Sequence, residues 1–95
     1  MRDERIVEGR FTVQGELGLH ARPAGRFVTL AGRFESEITV ARADNDEWVS
    51  GRSVLSMLSL AAGNGTSLRI RAEGVDAAEA VATLGRLLVS PEHEI

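Results

Sequence analysis

The sequence predicts an α+β fold with the element order β-α-β-β-α-β-α. Some segments alternate apolar and polar residues, which is the period of half-buried strands. Others repeat apolar residues at the 3.6-residue period of amphipathic helices, and turn-forming stretches separate the two kinds. Because each strand has one apolar face and each helix one apolar stripe, we expect an open-faced β-sandwich. In it, a four-stranded antiparallel sheet carries three helices on one face and meets water with the other.

The first strand is predicted from Val7 to Val13, where small or apolar residues alternate with polar ones. A glycine-rich loop, 14–18, follows it. The next segment has helical periodicity, with Pro23 in the first turn, where the missing N–H costs nothing. Gly32 is placed to end this helix. Its apolar stripe consists of Ala24, Phe27, Val28 and Ala31.

The middle of the chain predicts a hairpin followed by a short helix. Residues 38–42 form the second strand, 43–46 a turn by composition, and 47–50 a short third strand. Ser53 then precedes an apolar segment, Val54 to Leu60, as a plausible helix N-cap.

The last part of the chain predicts a strand and a helix. Residues 63–65 are the strongest turn signal, and 66–72 alternate again. Asp76 and Glu79 have the spacing of a capping box at the start of the final helix, and Pro91 lies just past its end. The alternation directs Leu68, Ile70 and Ala72 to one face of the strand and Arg69 and Arg71 to the other. The apolar stripe of the final helix consists of Ala77, Ala80, Val81, Leu84 and Leu88.

Composition excludes several classes of protein. The 95 residues predict one domain spanning 1–95, with 14 acidic and 11 basic residues and a formal charge of −3. There is no cysteine, so disulfides and thiol nucleophiles are excluded, and two histidines make a structural zinc site unusual. Every basic residue is arginine, which excludes Schiff-base chemistry and a P-loop lysine. An acidic chain with four aromatic residues also lacks the surface of a nucleic-acid binder.

The chain shows no feature of export or membrane insertion. No apolar run approaches the roughly 20 residues of a membrane-spanning helix. The charged segment Met1 to Arg5 leads into no apolar signal core. We therefore expect a cytoplasmic protein that needs neither a metal nor a cofactor.

The segment from Gly18 to Ala24 carries the chemistry. A histidine such as His20, just ahead of a helix, is most often exposed surface or a weak cap. Here, however, the helix N-terminus offers unpaired N–H groups and partial positive charge to an anion. Arg22 adds a planar charged fork suited to phosphate oxygens. A histidine beside an anion site, without a second general base nearby in sequence, fits phosphorylation of the imidazole better than hydrolysis.

Three segments of the sequence resemble one known family. Gly-Leu-His-Ala-Arg-Pro-Ala at 18–24 matches the active-site motif of HPr, the histidine-containing phosphocarriers of the bacterial phosphoenolpyruvate-dependent sugar phosphotransferase system. Residues 36–40 resemble that family's second strand, and 51–60 its short helix with a regulatory serine at the start. The resemblance covers about 7–88, and the element order agrees. The absence of lysine departs from many relatives, which carry lysines on the face that meets partners.

The resemblance implies a role for each residue of the site. His20 would accept a phosphoryl group on Nδ1 from phosphorylated Enzyme I and pass it to a histidine of an Enzyme IIA domain. Arg22 and the backbone N–H groups of Ala21 and Arg22 would stabilise the phosphate. The protein would act as a monomeric, stoichiometric carrier rather than an enzyme, without nucleic acid as a partner.

Docking and regulation have alternatives that the sequence leaves open. Three residues, Val54, Leu55 and Leu58, match the family's exposed apolar patch, and the alternative is that they belong to the core. A helix so short cannot bury all its apolar residues on one side, so we expect Leu55 and Leu58 to face outward. Arg26 is either a docking charge or a solvated helix residue. Ser53 is either an N-cap alone or also a target of HPr kinase/phosphorylase.

Other functions remain as alternatives. The main one is a regulatory protein of the same fold, acting in a nitrogen-linked branch or binding transcription factors or enzymes through Ser53. A phosphate hydrolase is disfavoured because the sequence offers no metal-ligand cluster. Two further residues are interpreted as structural: His93 as part of a charged, disordered tail, and Trp48 as a packing residue with no basic neighbours.

Overall fold

The computed structural model describes residues 5–90, and the strands and helices within that range follow the predicted order. The strands are β1 (Arg5–Thr12), β2 (Glu37–Arg42), β3 (Val49–Ser50) and β4 (Ser67–Gly74), and the helices are α1 (Ala21–Ala31), α2 (Val54–Leu58) and α3 (Ala77–Val89).

The strands form one antiparallel sheet in the order β1-β4-β2-β3. The interior strand β4 pairs with β1 on one side and with β2 on the other, so that Ile70 lies opposite both Gly9 and Val40. Since side chains alternate along a strand, β4 buries its apolar residues beneath the helices and directs Arg69 and Arg71 to the open face, as the alternation predicts. The predicted α+β fold is confirmed.

The core lies between the sheet and the helices. Helix α3 packs across β1 and β4, and α1 packs against both α2 and α3. The predicted stripe of α3 is buried, and so are most residues of the α1 stripe. The largest fully buried side chains are Phe27, Ile38, Met57, Leu68, Ile70, Leu84 and Leu88.

Two predicted elements are shorter in the structure. Strand β3 pairs with β2 only at Val49 and Ser50, because the Asn45 side chain accepts a hydrogen bond from the Glu47 N–H (3.0 Å) and prolongs the turn. Helix α2 ends at Leu58 rather than at Leu60. The chain then tightens through hydrogen bonds between residues three apart.

The predicted capping box of α3 is wrong. Asp76 stands at the N-cap, but its side chain caps nothing in the helix. Its carboxylate instead accepts hydrogen bonds from the backbone N–H groups of Glu35 (2.9 Å) and Ser36 (3.0 Å) and from the Ser36 hydroxyl. These bonds, with that of the Ser36 hydroxyl foremost, lower the pKa of Asp76. Asp76 therefore joins the start of α3 to the segment that leads into β2.

Trp48 has basic neighbours that its position in the sequence does not reveal. The guanidinium carbon of Arg69 lies 4.8 Å from the centre of the indole ring, and that of Arg71 lies 5.8 Å from it. Both distances suit cation–π contact. Trp48 thus packs on the open face of the sheet against β4. The interpretations of Pro91 and His93 fall outside the described residues.

Candidate functional site

The loop before α1 brings His20 to the start of that helix. Gly18 has a left-handed backbone (φ +66°), and a Cβ there would lie 2.7 Å from the carbonyl oxygen of Ala62. Only glycine meets both conditions without strain. The close approach lets the N–H of Leu19 donate to that carbonyl (2.8 Å), while the N–H of His20 donates to the Gly18 carbonyl (3.0 Å). Backbone contacts therefore set the position of His20.

His20 occupies the N-cap of α1 without using its side chain as a cap. Its backbone is extended, with φ −89° and ψ −168°, and its carbonyl accepts the first helical hydrogen bond, from the N–H of Ala24 (3.0 Å). The residue is half-buried, so the imidazole remains accessible. The imidazole of His20 is therefore not used to cap the helix that it precedes.

The first turn of α1 leaves two backbone N–H groups for an external anion. A helix cannot satisfy the N–H groups of its first turn. Here the N–H of His20 is used by Gly18, and Pro23 has none. The N–H groups of Ala21 and Arg22 remain, on residues that are both exposed. The partial positive charge of a helix start favours an anion at this place.

Arg22 adds a cation beside these N–H groups. It is exposed, and within residues 5–90 its guanidinium forms no ion pair. No carboxylate of the described chain competes for it. Arg26 follows one helical turn later, on the same side of α1. It is half-buried and borders a groove between α1 and α3.

Helix α2 presents Ser53 and an exposed apolar pair. The hydroxyl of Ser53 accepts a hydrogen bond from the N–H of Ser56 (3.2 Å), so the predicted N-cap is confirmed. Leu55 is 81% exposed and Val54 is 36% exposed. The expectation that Leu58 also faces outward is wrong, because Leu58 is half-buried and packs against the core. We call Val54 and Leu55 the α2 patch.

Hydrogen bonds from Arg42, which the sequence did not predict, hold the segment between α2 and β4 in place. Arg42, at the end of β2, donates to the carbonyls of Leu60 (3.1 Å) and Ala61 (3.2 Å), and it also pairs with Asp44 (3.1 Å). The hydrogen bond from Arg42 lowers the pKa of Asp44. The same segment carries Ala62, the acceptor for the loop before His20. Arg42 thus supports the site from a distance.

Among residues 5–90, no three histidine or acidic side chains lie close enough together to hold a metal ion. No helix in the described range has the length and apolar character needed to cross a membrane.

The fold and this site define a class of small α+β proteins that offer a histidine at a helix start with open backbone N–H groups. A family model described as the phosphorylation site of the PTS HPr component matches residues 7–90. The chain therefore belongs to the HPr family, the phosphocarriers of the phosphotransferase system.

Individual relatives agree with this assignment. The chain is 42% identical over 86 residues to "Phosphocarrier protein HPr" of Haloferax volcanii, covering 90% of this chain and 97% of the relative. It is 38% identical over 88 residues to "Multiphosphoryl transfer protein" of Haemophilus influenzae, covering 92% of this chain but 18% of that longer protein. The crystal structure of an HPr from Bacillus anthracis superposes with a TM-score of 0.81 at 36% identity, covering 87% of this chain and 96% of that one.

Proposed function

We propose that His20 accepts a phosphoryl group from phosphorylated Enzyme I and passes it to a histidine of an Enzyme IIA domain. The observation that carries the proposal is the grouping at the start of α1. An accessible imidazole lies beside two N–H groups and the guanidinium of Arg22, for which residues 5–90 supply no acceptor or ion-pair partner. In this role the protein is a stoichiometric carrier, regenerated in each cycle, rather than an enzyme.

The transfer step balances without a proton donor or a water molecule. The lone pair on Nδ1 of His20 attacks the phosphorus of the donor phosphohistidine. A new P–N bond forms as the donor's P–N bond breaks, and the donor imidazole leaves with its electron pair. The negative charge on the phosphoryl oxygens is met by Arg22 and by the N–H groups of Ala21 and Arg22. The reverse sequence with a new acceptor histidine discharges the carrier.

The carrier proposal is tested by phosphorylation in a defined mixture. The protein is incubated with Enzyme I, Mg²⁺ and phosphoenolpyruvate labelled on phosphorus. We expect an acid-labile, base-stable phosphate that is absent from His20→Ala. The second histidine supplies a matched control, since His93→Ala should label like the wild type. Labelling that survives His20→Ala, or that is lost only in His93→Ala, contradicts the proposal.

We also propose that docking uses the α2 patch and that Ser53 regulates it. The patch offers apolar surface on the helix packed beside α1. Ser53 precedes the patch directly, so a phosphate on its hydroxyl would place close to two negative charges at the edge of the patch. The same phosphate would suit the start of α2 electrostatically. Phosphorylation would therefore preserve the helix while altering the surface that partners meet.

A kinase assay separates this regulatory role from simple capping. With ATP and an HPr kinase/phosphorylase of known competence, we expect an acid-stable phosphate that disappears in Ser53→Ala. Ser56→Ala is the matched control, because it removes a neighbouring hydroxyl and keeps Ser53. Failure of the wild type to label, while a known substrate labels, would leave Ser53 as a cap only.

A further inference from the structure

A groove separate from the histidine site lies between α1 and α3. Its volume is about 860 Å³, and its walls come from one side of each helix. Neither His20 nor Arg22 lines it. Sites for small molecules typically have volumes of roughly 300–1,000 Å³, so this groove is large enough to hold a metabolite.

The groove is positively charged in a protein whose formal charge is −3. Arg26 and Arg33 line it from the side of α1, and Arg86 lines it from α3. No aspartate or glutamate of residues 5–90 contributes to its walls. Leu30 and Leu87 add apolar surface between the charges. Arginine forks match the oxygens of phosphate and carboxylate groups, so the walls suit an anion with an uncharged body.

Gly25 leaves one wall of the groove without a side chain. It lies inside α1 and on the groove wall, where glycine destabilises a helix relative to alanine. Packing does not require it, because a Cβ at Gly25 would meet no atom within 4 Å. Its φ is not left-handed either. A glycine at this place leaves room for a bound molecule to approach the helix backbone closely.

We propose that this groove binds a small organic molecule with two anionic groups, phosphate or carboxylate, joined by an uncharged body. Arg26 lies within α1, and Arg33 lies just past the C-cap of that helix, Gly32, so the two arginines border different parts of the groove. One anionic group faces each of these arginines, and the uncharged body lies along Leu30 and Leu87. Arg86 supplies the third charge from the opposite wall.

Titration calorimetry tests whether the groove requires two anionic groups on one molecule. The probes are alkanediol bisphosphates and alkane dicarboxylates of graded chain length, with hexyl monophosphate and inorganic phosphate as references. We expect the best bis-anion to bind at least about tenfold more tightly than hexyl monophosphate or inorganic phosphate. The two series show whether phosphate or carboxylate is preferred. Absence of binding by every bis-anion, or a best affinity no higher than that of hexyl monophosphate, overturns the proposal.

Substitutions of residues that line the groove test whether the probe binds there. Arg33→Gln and Arg86→Gln should each weaken binding of the best probe by about tenfold, the usual effect of losing one charge-assisted hydrogen bond. Gly25→Leu should abolish it by filling the groove, with circular dichroism confirming that the helix is intact; the two arginine variants decide the matter if Gly25→Leu does not fold.

Arg10→Gln is the matched control, because it removes an equal charge from β1, outside the groove. It should leave the affinity unchanged, and an equal loss in this variant would show nonspecific attraction and overturn the proposal. None of these measurements involves Enzyme I, so their outcome is independent of the proposed phosphoryl transfer.

Discussion

The carboxylate of Asp76 accepts hydrogen bonds from both the hydroxyl and the backbone N–H of Ser36, the latter at 3.0 Å. Ser36 is fully buried. On its other side, the Ser36 carbonyl accepts a hydrogen bond from the guanidinium of Arg52 (2.8 Å), which also donates to the carbonyl of Phe34 (2.9 Å). Asp76 and Arg52 thus hold the segment before β2 between the starts of α3 and α2.

Asp76→Ala should lower the free energy of unfolding by about 1–3 kcal/mol at pH 7, because it leaves polar groups of the buried Ser36 without a partner. The pKa of Asp76 is lower in the folded protein than the ordinary value of 3.8 for an aspartate. Its stabilisation is therefore present above about pH 4 and is lost as the pH falls through the folded-state pKa. The free energies of unfolding of the wild type and of Asp76→Ala, measured by urea titration across this pH range, should converge at low pH. Glu79→Ala, in the first turn of the same helix, should cost less than about 0.5 kcal/mol, and an equal loss there would refute the assignment.

Replacing each of two helical glycines by alanine should change the free energy of unfolding in opposite directions. Gly25→Ala should raise the free energy of unfolding by about 0.5–1 kcal/mol, because alanine favours a helix and its Cβ meets nothing within 4 Å. Gly85→Ala should lower it by about 1–2 kcal/mol, since the new methyl group would overlap the ring of Phe11 on β1. Denaturant unfolding measures both. Changes of the same sign would contradict this account of how α3 packs on the sheet.

Ala61→Gly should stabilise the protein by about 1 kcal/mol. Ala61 has a φ of +50°, where a side chain is strained and glycine is not. Thermal unfolding should show a higher melting temperature for this variant. Ala62→Gly provides the comparison, because Ala62 is buried and has no left-handed φ, so it should lose stability. A lower melting temperature for Ala61→Gly would mean that the strain is absent.

Leu55→Ser should impair docking without affecting stability. Because Leu55 is 81% exposed, its loss should change the free energy of unfolding by less than about 0.5 kcal/mol. At limiting Enzyme I, kcat/KM for phosphorylation should fall by about tenfold, the effect of losing one interface anchor. Val75→Ser removes a different exposed apolar side chain, outside the α2 patch, and should retain full activity. Equal rates for Leu55→Ser and the wild type would exclude Leu55 from the interface.

Arg22→Gln should slow phosphorylation of His20 by roughly 10- to 100-fold, because charge developing on the phosphoryl oxygens loses its cation. Arg22→Lys should fall between this variant and the wild type, since it keeps the charge but lacks the planar fork. Rapid-quench measurements with phosphorylated Enzyme I give the rates. Arg10→Gln controls for the change in net charge. A rate for Arg22→Gln equal to that of this control would remove Arg22 from the transfer step.

The sequence predicted the elements because their signals are local. Alternation in β4 and the stripe of α3 each depend on residues a few positions apart, and the one-sided burial of both elements then implies helices on one face of the sheet. The position of His20 was predictable for the same reason, since Gly18 and Pro23 mark the loop and the helix start within one short segment.

The contacts that the sequence did not predict join distant segments. The spacing of Asp76 and Glu79 is typical of a capping box, but the carboxylate of Asp76 binds Ser36 instead. Arg42 resembles any strand arginine until the fold brings the carbonyls of Leu60 and Ala61 within reach. The basic neighbours of Trp48 likewise come from β4, which follows it in the sequence.

The contact of Trp48 with Arg69 and Arg71 gives the protein a built-in spectroscopic reporter. The chain has one tryptophan and no tyrosine, so nearly all of its intrinsic fluorescence comes from an indole held between cations on the open face of the sheet. Unfolding removes those cations and changes the emission. The start of α1 belongs to the helical layer, on the opposite face of the sheet from the indole. We therefore expect emission from this one ring to report folding during a phosphorylation experiment without responding to phosphorylation of His20.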